Sequence, residues 1–360
     1  MTHIWQARSW PNFDYDRAAA EPYLTAAIEA LGEVSGLQAA LEPRDLDEIK
    51  LTQIVQEAMS SFGIEGVNLD AAEIEASVIA SLKHRDRAAA PSRSDAIVEL
   101  MLAARKATET LTSAMLWSWH KLLFYGIEVE DLGAWRSFDI EIARSAVAGN
   151  KEVLYKAPPP DRIEAEMAVL LNWIEGDHKL PTPIAAAIAH LWFESIHPFS
   201  DGNGRIGRAL IEHVFANTKA LPFSFSRQVE KDKKAYYAAL QAGRREGDGF
   251  IDATAFVVWF LECLTRAAAL ARNEAYFVVR RNRYLSHLIP QVSERRKSVL
   301  RDLFAKGEVR VAQGISAKSY SKIAKVSGPT ATRDLAALER AGALTRSMEG
   351  GRSTFYRINY

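Results

Sequence analysis

Twelve consecutive residues, His197-Pro198-Phe199-Ser200-Asp201-Gly202-Asn203-Gly204-Arg205-Ile206-Gly207-Arg208, bring together a base, a carboxylate, a run of small residues and two arginines. An apolar helical pattern stops at Ile196, and a Gly-Asn-Gly turn leads into the next helical pattern. In such a turn successive backbone N–H groups point into one concavity, and the following helix adds the positive end of its dipole; the product is an anion cradle. Arg205 and Arg208 lie three apart, on one face of that helix. Two guanidinium forks there suit a polyphosphate. Asp201 is a hard oxygen ligand of the kind that holds Mg2+ against phosphates. His197 precedes the cradle, where a neutral imidazole can accept a proton from an attacking hydroxyl. A Gly-rich turn by itself is usually only a turn, and a lone His before Pro is more often structural. Base, metal ligand, cradle and two arginines within one short run point instead to phosphoryl chemistry.

The run resembles the motif of the Fic family, His-Pro-Phe-x-Asp-Gly-Asn-Gly-Arg-x-x-Arg, without a departure. The surrounding stretch, about 97–272, is similar to the Fic core. Gly133-Ala134-Trp135-Arg136 resembles the segment before the family's flap, and Glu152, Val153, Leu154 and Tyr155, followed by Pro158-Pro159, resemble the flap that docks the target. Lys234-Ala235-Tyr236-Tyr237 with Leu240 and Asp248 resembles the helix bordering the nucleotide base, which puts Tyr237 and Leu240 against it; an aromatic pair on a helix is equally a core feature. The resemblance implies that His197 is the general base for a Ser, Thr or Tyr hydroxyl and that Asp201 holds Mg2+. It implies that Gly202, Asn203 and Gly204 cradle the α- and β-phosphates of ATP, that Arg205 grips the β-phosphate, and that Arg208 approaches the γ-phosphate. AMP then passes to a target protein or to the chain itself and pyrophosphate leaves. A phosphotransferase branch of the family has a basic residue at the second motif glycine; Gly204 stands there in this sequence, favouring AMP transfer.

Ser61-Phe62-Gly63-Ile64-Glu65-Gly66 fits the family's inhibitory pattern, Ser/Thr-x-x-x-Glu-Gly/Asn, placed before the catalytic core. Read alone, it is equally an ordinary helix end with Gly66 as left-handed cap. In a helix Ser61 and Glu65 share one face. The resemblance implies that Glu65 pairs with Arg208, occupying the γ-phosphate space and removing its cation. Gly63 costs up to ~1 kcal/mol relative to Ala in a helix, so this helix end is expected to be readily displaced. Some Fic proteins also remove AMP with the inhibitory glutamate, a role open to Glu65.

The elements that must position these residues are mostly helices. Apolar residues recur at helical spacing over 25–41, 49–59 and 74–82, then from Ser94 to Leu123 in one long pattern. Ala88-Ala89-Ala90-Pro91 marks a joint. From Gly126 to Pro160, with Gly149 and Asn150, the chain reads as a loop carrying a small hairpin. Helix returns at Asp161 as N-cap, and further helices are expected near 183–193, 206–217, 231–245 and 251–276. The aromatic-rich start, with Trp5, Trp10 and Phe13, resembles a small N-terminal module of many bacterial Fic proteins and is most simply a set of packing anchors.

The 360 residues, 48% of them hydrophobic, suffice for two or three domains. Lys+Arg and Asp+Glu both number 45, so net charge favours neither a nucleic-acid nor a membrane partner. One cysteine, Cys263, excludes an intramolecular disulfide and reads as a core thiol. No signal peptide is apparent and no run approaches the ~20 apolar residues of a membrane helix; a cytoplasmic protein with no membrane partner is expected. The expected division is 1–90 as a helical module with the inhibitory motif, 91–285 as the catalytic core, and 291–360 as a third domain.

That last piece is basic, with fourteen Lys/Arg against six Asp/Glu from Gln291. A helix near Ser319, a Gly328-Pro329 turn, a second helix 330–340 and a hairpin around Glu349-Gly350-Gly351-Arg352 resemble a winged helix. Thr330, Thr332 and Arg333 would face DNA, and Arg352 a phosphate; such folds also dock proteins or form dimers. The expected class is therefore mainly α: a Fic-type helical core with a hairpin flap, plus a C-terminal winged helix-turn-helix. The leading expectation is a self-inhibited AMP-transferase using ATP and Mg2+, and the family resemblance makes a homodimer plausible. The alternative is a nucleotide-sensing DNA-binding regulator.

Overall fold

The computed structural model describes residues 3–82, 92–106, 110–145, 151–288, 292–347 and 354–360. The expected joint at 88–91, the hairpin tip with Gly149 and Asn150, the side chains of Glu152 and Leu154, and the wing tip with Arg352 lie outside the described residues. The chain forms two compact units, Met1–Ala271 and Arg272–Tyr360.

The first unit opens with β1 (Phe13–Asp14) and the helices α1 (Arg17–Ala39), α2 (Pro43–Ile64) and α3 (Ala71–Leu82). Asp16 caps α1 by accepting from the Ala19 N–H, and Pro43 begins α2 where a missing N–H is harmless. The stretch expected as one helix from Ser94 to Leu123 is two, α4 (Arg93–Ala104) and α5 (Ser113–Leu123). Ser92 and Thr112 each cap their own helix through the side chain, so the Thr-rich joint starts a second helix instead of continuing the first. The hairpin is present as β2 (Glu141–Ser145) paired antiparallel with β3 (Lys151–Lys156). Its register slips between Ile142 and Ala143, leaving Leu154 as the extra residue of a bulge.

Next come α6 (Pro160–Glu175), α7 (Thr182–Ile196) and α8 (Asn203–Ala216). Pro159, not Asp161, is the N-cap of α6: Pro160 fits its first position, and Asp161 joins the first turn, where the dipole favours a carboxylate. Every residue of α7 from Pro183 to Ile196 is buried, as expected of a helix apolar on all sides. The single helix expected over 231–245 is α9 (Ser226–Lys231), α10 (Lys233–Ala242) and the start of β4 (Arg245–Glu246). Ile251 belongs to β5 (Ile251–Asp252), which pairs parallel with β1 and antiparallel with β4, tying the aromatic start of the chain to the region after α10. Trp10 donates to Glu166 Oε2 at 2.7 Å and packs with Phe13 against Trp192, the anchoring role read from the sequence.

The helix α11 (Thr254–Leu288) corrects the membrane reading in part, since by length and composition it could cross a bilayer. More than half of its most apolar window is buried in protein, and Phe256, Val257, Phe260, Leu261, Cys263 and Leu264 sit in the core of the first unit. Burial pushes the Cys263 thiol pKa up.

The second unit holds the end of α11, then α12 (Glu294–Ala305), α13 (Glu308–Ala312), β6 (Ile315–Ser316), α14 (Ala317–Ala324), α15 (Gly328–Arg340), β7 (Leu344–Arg346) and β8 (Phe355–Ile358). The three strands form an antiparallel sheet in the order β6-β8-β7. Leu303, Phe304, Tyr320 and Leu335 form its core. Asp334 is buried beneath Arg295, Arg296 and Tyr320, all three of which hydrogen-bond its carboxylate.

Candidate active site

The motif loop joins the two most buried helices of the first unit. His197 caps α7 with a left-handed backbone (φ 53°). Gly202 is the N-cap of α8 with φ 79°, and a side chain there would collide with Leu123 and Phe124. The cradle helix therefore starts at Asn203, three residues before the expected Ile206. Asn203 is 2% exposed; its amide donates to the Phe199 carbonyl at 2.8 Å and accepts from the Phe199 N–H at 2.9 Å. That side chain shapes the loop, so what position 203 can offer an anion is its backbone N–H. His120 supports the loop from beneath, stacked on Phe199 with ring centroids 4.3 Å apart and reaching Asp201 O at 3.2 Å. Burial lowers the His120 pKa to about 4, which keeps it neutral.

Arg136 is the clamp that sequence reading named only as part of a segment. Although 2% exposed, it makes no salt bridge with a carboxylate among the described residues. Its guanidinium donates to the carbonyls of His197 (2.8 Å), Phe138 (2.6 Å) and Pro158 (2.5 Å), while its N–H donates to Pro198 O at 2.9 Å. Through three carbonyls Arg136 thus binds the His197-bearing loop to both ends of the hairpin segment.

A cavity of about 730 Å³, within the range of small-molecule sites, is lined by His197, Asp201, Gly202, Asn203, Gly204 and Arg205 on one side. Tyr237 and Leu240 of α10 line it too, as do Glu65, Ile142, Tyr155, Glu194 and Arg244. The aromatic pair divides its labour: Tyr236 is buried and shares a hydrogen bond with His190 Nε2, while Tyr237 is 41% exposed toward the cavity. Tyr155 corrects the flap reading in one respect. Its side chain is buried, donates to Ser195 O at 2.6 Å and lies under Arg244 at 4.5 Å. It anchors the hairpin, leaving half-exposed Val153 as the described flap side chain that meets solvent. Arg244, Glu194 and Lys234 were missed as site residues; Glu194 sits on a helix whose pattern signals only core, and Arg244 in the short connection between α10 and β4.

His197 is neutral: burial, aided by Arg244, lowers its pKa to about 3. Asp201 is mostly exposed; its Oδ1 accepts from the Gly202 N–H and from Arg205 at 3.3 Å, leaving Oδ2 as the available ligand. Among the described residues no cluster of three or more His, Cys, Asp or Glu could hold a metal. One exposed carboxylate beside a phosphate cradle nonetheless fits Mg2+, which commonly takes its other ligands from phosphates and water.

Arg205 reaches the cavity with its guanidinium 5.3 Å from the ring of Phe62 and 5.0 Å from that of Phe124. Arg208 does not line the cavity. It is buried, donates through Nε to Ser61 Oγ at 3.0 Å and through a terminal nitrogen to Ser61 O at 2.7 Å, and pairs with Glu65 at 2.9 Å. Burial works to lower the Arg208 pKa, and Glu65 overcomes it, leaving it raised. The Glu65 carboxylate lies directly over Gly204, in the space a side chain there would fill. A carboxylate therefore sits on the anion cradle, with Tyr237 OH 3.5 Å from its other oxygen. The expectation of a readily displaced helix end needs correction. Ser61, Phe62 and Ile64 are at most 1% exposed, and Gly63 packs against the Glu230 carboxylate. Burial of those neighbours outweighs the propensity cost of one glycine; the Glu65 side chain, 28% exposed, is the accessible part.

Residues 110–215 match the Fic/DOC family, and residues 3–83 match a domain of unknown function, DUF4172, a longer stretch than the aromatic start alone. A probable protein adenylyltransferase of Aquifex aeolicus is 30% identical over 87 residues, which span 24% of this chain and 26% of that relative. This chain thus spans about a quarter of the length of that curated relative. Among solved structures, a Fic family protein from Desulfovibrio desulfuricans aligns with a TM-score of 0.54 at 23% identity, covering 94% of this chain and 96% of its own. A Fic-domain signalling protein from Bacteroides thetaiotaomicron aligns at 0.52 and 20% identity, over 70% and 98% respectively. At these identities the likeness is one of fold. Residues 110–215 thus match a Fic/DOC domain, and the motif read from the sequence is a loop within that stretch.

Proposed function

We propose that this chain is a self-inhibited protein AMP-transferase. The observation that carries the reading is the cavity itself, where a neutral imidazole, a helix-N-terminal cradle, the buried Arg205 and a partly exposed tyrosine face one space. ATP would lie with its base toward Tyr237 and Leu240 and its phosphates over Gly202, Asn203 and Gly204. Mg2+ on Asp201 would neutralise phosphate charge. His197 takes the proton of a Ser, Thr or Tyr hydroxyl as the hydroxyl oxygen bonds to the α-phosphorus. The bond from that phosphorus to the bridging oxygen breaks, and pyrophosphate leaves with the electron pair. Positioning and charge neutralisation supply most of the rate, with the base worth about 10²–10⁴-fold. Main-chain pairing along the free edge of the two-stranded hairpin would dock an extended target segment. Residues 1–90 would serve as the inhibitory module, 91–285 as the core, and use of ATP suits the cytoplasm.

Inhibition follows from Glu65. Its carboxylate occupies the cradle's anion position and neutralises Arg208, so the γ-phosphate loses both space and cation. The same carboxylate, facing the cavity, is placed to orient a water for AMP removal. The test is transfer of label from α-labelled ATP with Mg2+ in wild type, Glu65→Gly, and Glu65→Gly with His197→Ala, read as self-labelling. Weak, strong and absent label in that order supports the reading; no label in any of the three overturns self-AMPylation.

The second unit supports a second role as a winged helix contacting DNA. Thr332 and Arg333 are exposed on α15, with Lys322 and Lys325 exposed on and just after α14, while Ala331, Leu335 and Leu338 are buried on the opposite side. A salt-sensitive gel shift that survives His197→Ala and weakens in Arg333→Ala checks it; no shift at low salt rejects it.

A further inference from the structure

Glu194 stands in the last turn of α7, three residues before His197, and both line the cavity. Its side chain is 7% exposed, and its Oε2 lies 3.7 Å from His197 Nδ1. Among the described residues neither His197 Nδ1 nor Glu194 Oε1 makes a side-chain hydrogen bond, and both atoms are shut away from solvent; the main-chain carbonyl of Glu194 also acts on the His197 ring. The His197 side chain as a whole is 18% exposed. With Nδ1 enclosed, Nε2 is the nitrogen that can meet a hydroxyl in the cavity. The separation of 3.7 Å is about half an ångström beyond a hydrogen bond, and catalytic hydrogen bonds commonly tighten only when substrate closes the site. Space for the carboxylate comes from Gly207, where a side chain would meet Glu194 Oε1 and the His190 ring at 3.0 Å. Arg244 and Arg208 are the cations that act on Glu194, and Glu65 is the anion.

We propose that Glu194 is the positioning residue of the base, accepting the Nδ1–H of His197 so that Nε2 presents its lone pair to the target hydroxyl. The inference rests on His197 being the base. Two neutral tautomers are available to a buried imidazole, and only the Nδ1–H form can take a proton at Nε2. Glu194 selects that form and faces the imidazolium that proton transfer creates, the arrangement of a base oriented by a third group. Burial raises the Glu194 pKa to about 7, and a cationic imidazolium 3.7 Å away would draw it toward the carboxylate as the proton arrives.

The replacement Glu194→Gln keeps shape and removes charge. Its amide N–H can donate to Nδ1 and hold the Nε2–H form, which has no lone pair toward the cavity. In the Glu65→Gly background, Glu194→Gln is expected to lower kcat for self-labelling by about 10²-fold or more, with KM for ATP within twofold. In ¹⁵N-histidine spectra the expected His197 signal is Nδ1–H in wild type at pH 7 and Nε2–H in Glu194→Gln. A wild-type Nε2–H form, or kcat within twofold of the parent, overturns the proposal. The spectrum needs no activity, so if every variant stays unlabelled the AMP-transfer reading fails alone and the tautomer still decides the role of Glu194. Should Glu194→Gln fold poorly, Glu194→Ala gives the decision, and an Nδ1–H form kept there means that the main-chain carbonyl sets the tautomer and overturns the proposal.

Discussion

Two arginines, Arg136 and Arg208, are buried to the same degree within the first unit, yet their partners differ in kind. Arg136 is held by carbonyls alone, drawn from the loop and from both ends of the hairpin segment. Arg208 is held by a serine and by a carboxylate whose side chain reaches the cavity. A guanidinium surrounded by backbone dipoles cannot be released without taking the loop apart. One paired to a cavity-facing carboxylate can exchange that partner for another anion. The first arrangement fixes geometry, and the second, under the proposed function, would let a phosphate take the place of the carboxylate.

Arg136→Ala is the hardest test of this contrast. It strips donors from three carbonyls, at about 1–3 kcal/mol for each group left unpaired. Urea unfolding should show a loss of about 3–5 kcal/mol, with self-labelling gone even in the Glu65→Gly background. A loss below about 1 kcal/mol with labelling intact would mean Arg136 is no clamp. Glu65→Gly should behave oppositely. Labelling should rise by about 10–100-fold, corresponding to about 1.4–2.8 kcal/mol, while stability changes little because Ser61 still holds Arg208. If Glu65→Gly unfolds as readily as Arg136→Ala, the two sites are alike and the contrast fails.

Ligand binding sharpens the same point. At 100 times its dissociation constant, ATP with Mg2+ should stabilise Glu65→Gly by about 2.7 kcal/mol. The rise in Tm at a fixed ATP concentration should be smaller in wild type, where the carboxylate competes. Equal shifts would show that Glu65 does not contest the phosphate site. Ser61→Ala should have the smallest effect, under about 1 kcal/mol, since Ser61 O still accepts from Arg208 after the hydroxyl is lost. A modest rise in labelling, well short of that in Glu65→Gly, is expected.

Much of this was legible in the sequence because the motif is local. His197, Asp201, Gly202, Gly204 and Arg205 reach the cavity by virtue of one turn and one helix start, and the hairpin between Gly126 and Pro160 was visible from its turn residues. The misreadings share a cause. A capping side chain, Thr112, starts a new helix inside 94–123, and 231–245 breaks at Asp232 without a side-chain cap, so neither stretch is the single helix its pattern suggests. Glu194 looks like an ordinary member of an apolar helix and Arg244 like the tail of an expected one, because a linear pattern does not reveal which position opens on a cavity. Asn203 and Tyr155 carry motif or flap positions, yet their side chains serve the loop and the hairpin anchor.

By itself the sequence determined the residue types of the cradle and their order, since a left-handed glycine, a base before it and arginines after it need only neighbouring positions. It also determined that Ser61 and Glu65 share a helical face. Only the tertiary structure decided that this face meets Arg208, 143 positions beyond Glu65, and that Phe62 and Ile64 bury the helix end while Glu65 alone reaches the cavity. Only it decided that Arg136 joins loop to hairpin through carbonyls no side-chain pattern encodes. Backbone acceptors and cavity walls are made by packing distant segments together, and their energetics depend on a burial that no local window contains.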